Sequence, residues 1–422
     1  MPELRKRLLF TLGILIVDRI GLLIPVVGVD INSLSNLLQQ SKQLGGLLNY
    51  LDLISGGGLA HATLFALGIG PYITASIMMQ LLGMAVPQFE ALLKEGEYGR
   101  KILNQYTRYL ALGLAVFWSS TYAVVLERNN MVLVPGWSFR AMFILSLAVG
   151  SLFVMWLGEQ ISLYGIGNGS SMIIFAGIVA RFPGYIHRTI KFIELGNIDI
   201  VISLLVLCMF VGVTAAIVFL EKGERKIPVQ YARRVVGNKV YGGQSSYIPF
   251  KINTASVMPV IFASSVLIFP MQIAQMLSDK LEFLSVFIDP RSLVHNIVEA
   301  LLIIFFSYFY TAIIFNPEEL AENLRKGGGF IPGYRPGKKT AEYFTYILNR
   351  IGLVGALYLA SIAVFPNILA ALVTLPFYLP GTSLLICVGT GLDLAAQIES
   401  YLIERRYEGF LSAGRLKGRI AR

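Results

Sequence analysis

Long apolar runs of roughly twenty residues, each closed by a short polar or charged stretch, set the pattern of this chain from end to end. Ten such runs lie near 8–25, 68–87, 108–126, 140–158, 170–187, 199–220, 256–277, 294–315, 346–365 and 380–402. About 20 apolar residues of helix cross a hydrocarbon core, and only helices or closed barrels satisfy their backbone hydrogen bonds there. No segment alternates over about ten residues as a barrel strand does. The pattern predicts an all-α polytopic membrane protein with ten transmembrane helices. The ninth run is the least sharply bounded, because apolar residues continue past Pro366 to Pro376.

Composition agrees with this reading. Of 422 residues, 55% are hydrophobic and only 14% charged, against about 25% charged in soluble domains. The mean hydropathy is +0.67. The net charge of +10 gains meaning from its distribution. With the amino end inside, 25 of the 35 Lys and Arg residues fall in cytoplasmic segments and 7 in external ones, the bias expected of a multi-pass protein with both termini cytoplasmic. The cluster Arg181, Arg188 and Lys191 is its one exception. The basic Arg5-Lys6-Arg7 before an apolar run resembles a signal peptide, but no small-residue cleavage site follows and the run reads as the first span.

Candidate chemistry is sparse. Cys208 and Cys387 sit deep in apolar runs and exclude a disulfide framework. His61, His187 and His295 are scattered, so neither metal nor cofactor is expected. No G-x-x-x-x-G-K-[ST] string occurs, so energy must come from a partner, and nothing supplies an enzyme with a nucleophile–base pair. The Gly165–Gly169 stretch lacks the strand and acidic residue of a dinucleotide site and reads as a tight turn. Asp18, Arg19, Glu299, Asp393 and Glu399 lie in or near spans, where charge is costly. Asp18 and Arg19 point about 100° apart on a helix and should be poor partners, while Asp393 could reach Arg19. Two long basic loops, 221–255 and 316–345, contain turn residues and interleaved aromatics. They suit either anionic headgroups or a docked partner. Leu53-Ile54-Ser55-Gly56-Gly57-Gly58 precedes the second span as a freely mobile stretch, and Gly70-Pro71 should break the helix that follows.

Several strings then occur in order: Phe65-Ala66-Leu67-Gly68-Ile69-Gly70-Pro71-Tyr72-Ile73-Thr74-Ala75-Ser76-Ile77, Lys94-Glu95-Gly96-Glu97-Tyr98-Gly99-Arg100, Tyr164-Gly165-Ile166-Gly167-Asn168-Gly169, the 225–244 and 330–337 loops, and Tyr407-Glu408-Gly409. Over essentially the whole chain this resembles the SecY family of protein-conducting channels. The resemblance implies two pseudosymmetric five-helix halves, 1–195 and 196–422, around a central pore. It implies transport of unfolded secretory polypeptide across the bacterial inner (plasma) membrane, with lateral release of transmembrane segments into membrane lipid. The implied partners are SecE and SecG in a heterotrimer, with the SecA ATPase and the ribosome, including ribosomal RNA, at the cytoplasmic loops. The rival reading is a secondary transporter, which would need a polar site at the midplane.

The resemblance also implies site residues. The pore ring would be Ile73 and Ile77, Ile174 or Ile178, Ile261 and Ile386. An isoleucine in a membrane helix ordinarily faces lipid or a neighbour, so these roles come from the family alone. The plug would lie within about 50–64, around Ile54, Ser55, Gly56, Gly57 and Gly58; without the family this is a flexible external loop. Arg225, Arg233, Arg234, Lys239, Arg335, Lys338 and Lys339 would form the partner-binding face, Arg335 projecting from a Pro-Gly-x-x-Pro-Gly frame.

Overall fold

A computed structural model describes residues 2–30, 34, 56–196, 199–231, 234–236, 239–241, 245–276, 292–372 and 381–413. Helices cover all ten predicted runs: α1 (Pro2–Gly21), α2 (Gly70–Ala85), the short α3 (Pro87–Lys94), α4 (Glu97–Arg128), α5 (Trp137–Tyr164), α6 (Gly169–Val179), α7 (Phe182–Glu194) and α8 (Ile200–Glu221). After a strand region come α9 (Met258–Met276), α10 (Leu293–Ile314), the short α11 (Pro317–Lys326), α12 (Lys338–Leu372) and α13 (Gly381–Ala413). Among the described residues, seven of these helical segments are long and apolar enough to cross a membrane by length and composition alone.

Local chemistry explains most boundaries. Pro71 occupies the first turn of α2, where a missing N–H costs nothing, so the Gly70-Pro71 pair starts the helix as expected. The Gly165–Asn168 turn separates α5 from α6, and the Asn168 side chain caps α6 by accepting from Ser170 N at 3.1 Å. The expected fifth span divides at Ala180–Arg181 into α6 and the amphipathic α7. The ninth helix differs most from expectation: α12 runs through Pro366 to Leu372. Proline there leaves the Ile362 carbonyl without its helix donor. Gly381, opening α13, packs on that oxygen so closely that a Cβ would lie 2.0 Å from it. Gly381→Ala should therefore displace the start of α13, lowering the thermal inactivation midpoint of the purified chain by several degrees.

The chain divides into two compact units, 1–182 with 390–422, and 183–389. In the first, α5 is the hub, touching α1, α2, α4 and α6. Small residues permit this closeness, as is usual where membrane helices meet. A Cβ at Gly150 would lie 2.0 Å from the Leu64 carbonyl oxygen, and one at Gly169 would lie 1.8 Å from that of Gly158. Ser151 Oγ donates to the Gly68 carbonyl (3.1 Å), and Ile166 N donates to Thr11 Oγ1 (3.0 Å). Arg108 grips Glu159 through two 2.9 Å bonds, tying α4 to α5.

In the second unit, α10 packs on α9 and α12. A buried polar cluster joins α10 to α12: Asn367 Nδ2 donates to Asn296 Oδ1 at 3.0 Å and to Glu299 Oε2 at 3.3 Å. His295 Nε2 is 3.9 Å from the same carboxylate. Asn367→Leu should cost about 0.6–1.7 kcal/mol, the range for interhelical hydrogen bonds in membranes, read as faster thermal inactivation.

The first basic loop is folded, which apolar-run reading did not resolve. It contains β1 (Glu224–Tyr231), β2 (Arg234–Val236), β3 (Lys239–Tyr241) and β4 (Ser245–Lys251). β1 pairs antiparallel with β4, Arg225 opposite Phe250 and Gln230 opposite Ser245, and β2 pairs with β3. From the second basic loop, β5 (Gly329–Phe330) joins the other edge of β1. Ile227 and Val229 alternate inward, and Ile227 joins Phe250, Ala321, Ile331, Phe344 and Ile347 in one buried cluster. The Phe250 ring lies 5.7 Å from that of Phe344 and 5.9 Å from that of Phe315. Phe250→Ala should cost about 3–5 kcal/mol, seen as increased protease cleavage within both loops.

Candidate functional site

The apolar candidates fall on four helices. Ile73 and Ile77 lie four apart on α2, one turn along a single face, and Ile174 and Ile178 repeat that spacing on α6. Ile77, Ile174 and Ile178 are buried at 3%, 4% and 1% exposure; Ile73 is half-buried. In the second unit Ile261 on α9 and Ile386 on α13 are also half-buried. Each is aliphatic and offers no hydrogen bond to a passing chain. Ser264 and Thr382, near Ile261 and Ile386, are buried, and Ser264 Oγ donates back to the Val260 carbonyl at 2.8 Å. Local back-bonding of this kind leaves a hydroxyl with little to offer a small solute.

Of the glycine segment, Ile54 and Ser55 lie outside the described residues. Gly56 and Gly57 take φ of +75° and +106°, which glycine alone adopts freely. A single 3-10 turn, Leu59–His61, follows. Its Leu59 carbonyl accepts the Tyr122 hydroxyl at 2.7 Å, a buried bond. Gly58 is enclosed: a Cβ there would lie 2.6 Å from Leu22 Cδ2 and 2.7 Å from Thr63 Oγ1. The segment is thus packed at Gly58 on Leu22, just past α1, and is tied through Leu59 to Tyr122 of α4.

Asp18 and Arg19 correct the sequence expectation. Although their Cα–Cβ directions diverge, Arg19 Nη2 donates to Asp18 Oδ2 at 2.7 Å. Four rotatable bonds let the arginine curl back toward the neighbouring carboxylate, and the charge-assisted bond is the reward of doing so where water is scarce. Asp18 is 2% exposed.

The basic candidates divide by element. Arg225 stands exposed on β1, and Arg335, Lys338 and Lys339 are exposed around the start of α12. Arg234 belongs to β2 and Lys239 to β3; Arg233 lies outside the described residues. Arg335 sits between Gly333 (φ +88°) and Gly337 (φ +102°). Its carbonyl accepts Thr340 Oγ1 at 2.9 Å, and the preceding Tyr334 stacks on Tyr343 with centroids 4.0 Å apart. This turn has a fixed shape. Exposed Tyr231, Tyr247, Phe330 and Tyr334 stand among the cations. Lys226, not singled out from sequence, joins them: its Nζ lies 4.8 Å from the Tyr247 ring centre and 3.2 Å from Glu224 Oε1. The Glu224 carboxylate raises its pKa above the usual lysine value, so it remains cationic throughout the physiological range. Only the strand pairing, which sets Lys226 opposite Pro249 and near Tyr247, reveals it.

Comparison with known proteins adds four findings. The SecY family model matches residues 63–395. The Protein translocase subunit SecY of Escherichia coli strain K12 is 44% identical over 427 residues, covering 99% of this chain and 96% of its own length. Among solved structures, one concerns the plug domain of the SecY protein, described as stabilizing the closed state of the translocation channel and maintaining a membrane seal. It aligns with a TM-score of 0.66 and 19% identity, over 98% of this chain and 95% of that one. Sec61 in the canine ribosome-channel complex from the endoplasmic reticulum aligns at 0.63 with 19% identity, over 98% and 95%.

Proposed function

This chain belongs to the SecY family, and from that premise we propose how its residues conduct polypeptide. It is the multi-pass membrane subunit of a protein-conducting channel, a conduit rather than a catalyst, that passes unfolded secretory polypeptides across a membrane and releases transmembrane segments into lipid. The observation that carries this reading is identity of 44% to a translocase subunit across nearly the whole of both chains. The transporter alternative is not favoured.

Ile73, Ile77, Ile174, Ile178, Ile261 and Ile386 form the constriction. A narrow aliphatic collar excludes water when empty and closes around an unfolded chain without binding it. Their four helices, and the absence of charge at these six positions, support the assignment. Gly56–Gly58, with Ile54 and Ser55, serve as the plug, in keeping with the sealing role ascribed to the plug of the solved relative. The two pseudosymmetric halves are 1–195 and 196–422, and the membrane is the bacterial inner membrane with both termini cytoplasmic.

Partners dock on the cytoplasmic side, in keeping with the ribosome-channel complex in which canine Sec61 stands. Arg225, Arg233, Arg234, Lys239, Arg335, Lys338 and Lys339 present cations to SecA and to the ribosome, where neutralising RNA phosphates would supply much of the affinity. SecE and SecG complete the heterotrimer.

Site-specific crosslinking to a stalled secretory precursor tests the path. Cys208 and Cys387 are replaced, and single cysteines are placed at Ile73, at Ile261 and at lipid-facing Leu205, which is 55% exposed on α8. Adducts from the first two sites alone are the expected result. Active translocation without an adduct at either would refute the collar.

A further inference from the structure

We propose that Arg19 and Arg181 clasp the glycine segment from two sides, holding it seated until a translocating chain displaces it, and that Asp18 is the positioning residue for Arg19. The inference rests on reading Gly56–Gly58 as the plug.

The geometry begins with bare backbone. A Cβ at Gly56 would lie 3.1 Å from both Nη1 and Nη2 of Arg19 and 3.1 Å from the Cα of Gly177 on α6. A Cβ at Gly57 would lie 3.1 Å from Arg181 Nη2. One guanidinium therefore rests on each of two successive glycines, from α1 and from the residues just past α6, while Gly177 forms the floor. Glycine is required twice over: both positions have left-handed φ, and any side chain would occupy the place of a guanidinium.

Guanidinium groups donate in a planar fork and accept nothing, so exposed main-chain carbonyls are natural partners for them. Arg19 is fixed by the 2.7 Å bond from its Nη2 to Asp18. Its buried Nε has no hydrogen-bond partner among the described residues, leaving the terminal nitrogens to do the holding. A cation at membrane depth is costly unless paired, and the Asp18 carboxylate supplies that pairing. Arg181 belongs to the cluster that breaks the positive-inside bias; contact with Gly57 gives it a reason to lie outside.

The test uses the full chain in proteoliposomes, with Cys208→Ser, Cys387→Ser and Ala60→Cys, the new thiol being half-buried in the 3-10 turn. Labelling by a membrane-impermeant maleimide and ion leak are read together. Arg19→Gln and Arg181→Gln are each expected to raise both rates roughly tenfold, the effect of losing one charge-assisted bond; Asp18→Asn should give a smaller rise. Gly56→Ala keeps both arginines and should match Arg19→Gln, so it decides the matter should an arginine variant fail to assemble. Unchanged labelling in Arg181→Gln and Gly56→Ala would overturn the clasp. Deleting 56–61 separates the two ideas: a leaky deletion beside tight point variants refutes the clasp alone, and a tight deletion refutes the plug reading beneath it.

Discussion

Asparagine in place of Ile261 or Ile386 is expected to make the resting channel leak ions and to let through precursors whose signal sequences are defective. Both side chains are half-buried on separate helices, and the proposed seal depends on the reluctance of water to wet an aliphatic ring. An amide offers two donors and an acceptor, so water that enters beside it finds hydrogen bonds it lacked. Lowering the barrier by about 1.4 kcal/mol raises a rate tenfold, and one amide can supply that much. Conductance in planar bilayers should rise about tenfold for each variant, while Leu205→Asn on the exposed face of α8 should leave it unchanged. Equal conductance in Ile261→Asn, Ile386→Asn and the parent would remove these residues from the constriction. Only the collar reading makes the position, rather than the polarity, decisive.

Reversing the charge of Arg335 should sharply reduce partner-driven transport while leaving the chain folded. The turn that carries it is rigid: two glycines at positive φ flank it, Thr340 holds its carbonyl, and Tyr334 stacks on Tyr343. Its side chain is exposed and makes no ion pair among the described residues. Arg335→Glu therefore alters docking without altering packing, and should reduce ATP-driven translocation by about 10–100-fold, since a charge opposed to its like in an interface costs several kcal/mol. Arg335→Lys should fall between, keeping charge but losing the planar fork. Affinity for the ATPase and for ribosomes, measured on the same membranes, separates the partners. If Arg335→Glu leaves transport and both affinities intact, the loop is a topology determinant attracted to headgroups and not a dock.

The ten helices were readable because each apolar run exceeds what a soluble domain would expose, and because Pro71 and Asn168 mark starts with ordinary capping chemistry. Elsewhere tertiary contacts override local rules. Pro366 should end a helix, yet α12 continues to Leu372, and Gly381 packs on the carbonyl that the proline orphans. The β1–β4 pairing lies within a highly charged loop, where only Ile227 and Val229 alternate in the manner of a strand with one buried face. Helix angle alone sets Asp18 and Arg19 apart, but the reach of an arginine side chain decides the contact instead. The collar residues remain invisible to any local rule, since isoleucine is an ordinary membrane-helix residue and nothing in its spacing distinguishes a pore from a packing face.

The pairing of β5 with the edge of β1 has a mechanical consequence. β1 begins three residues after α8 ends, β4 leads within seven residues to α9, and the turn after β5 runs directly into α12. A load applied at either loop tip is shared through the strand backbone and delivered at once to three helices. The sheet works as a crossbar, so a motor that grips only one loop still pulls on all three stems together.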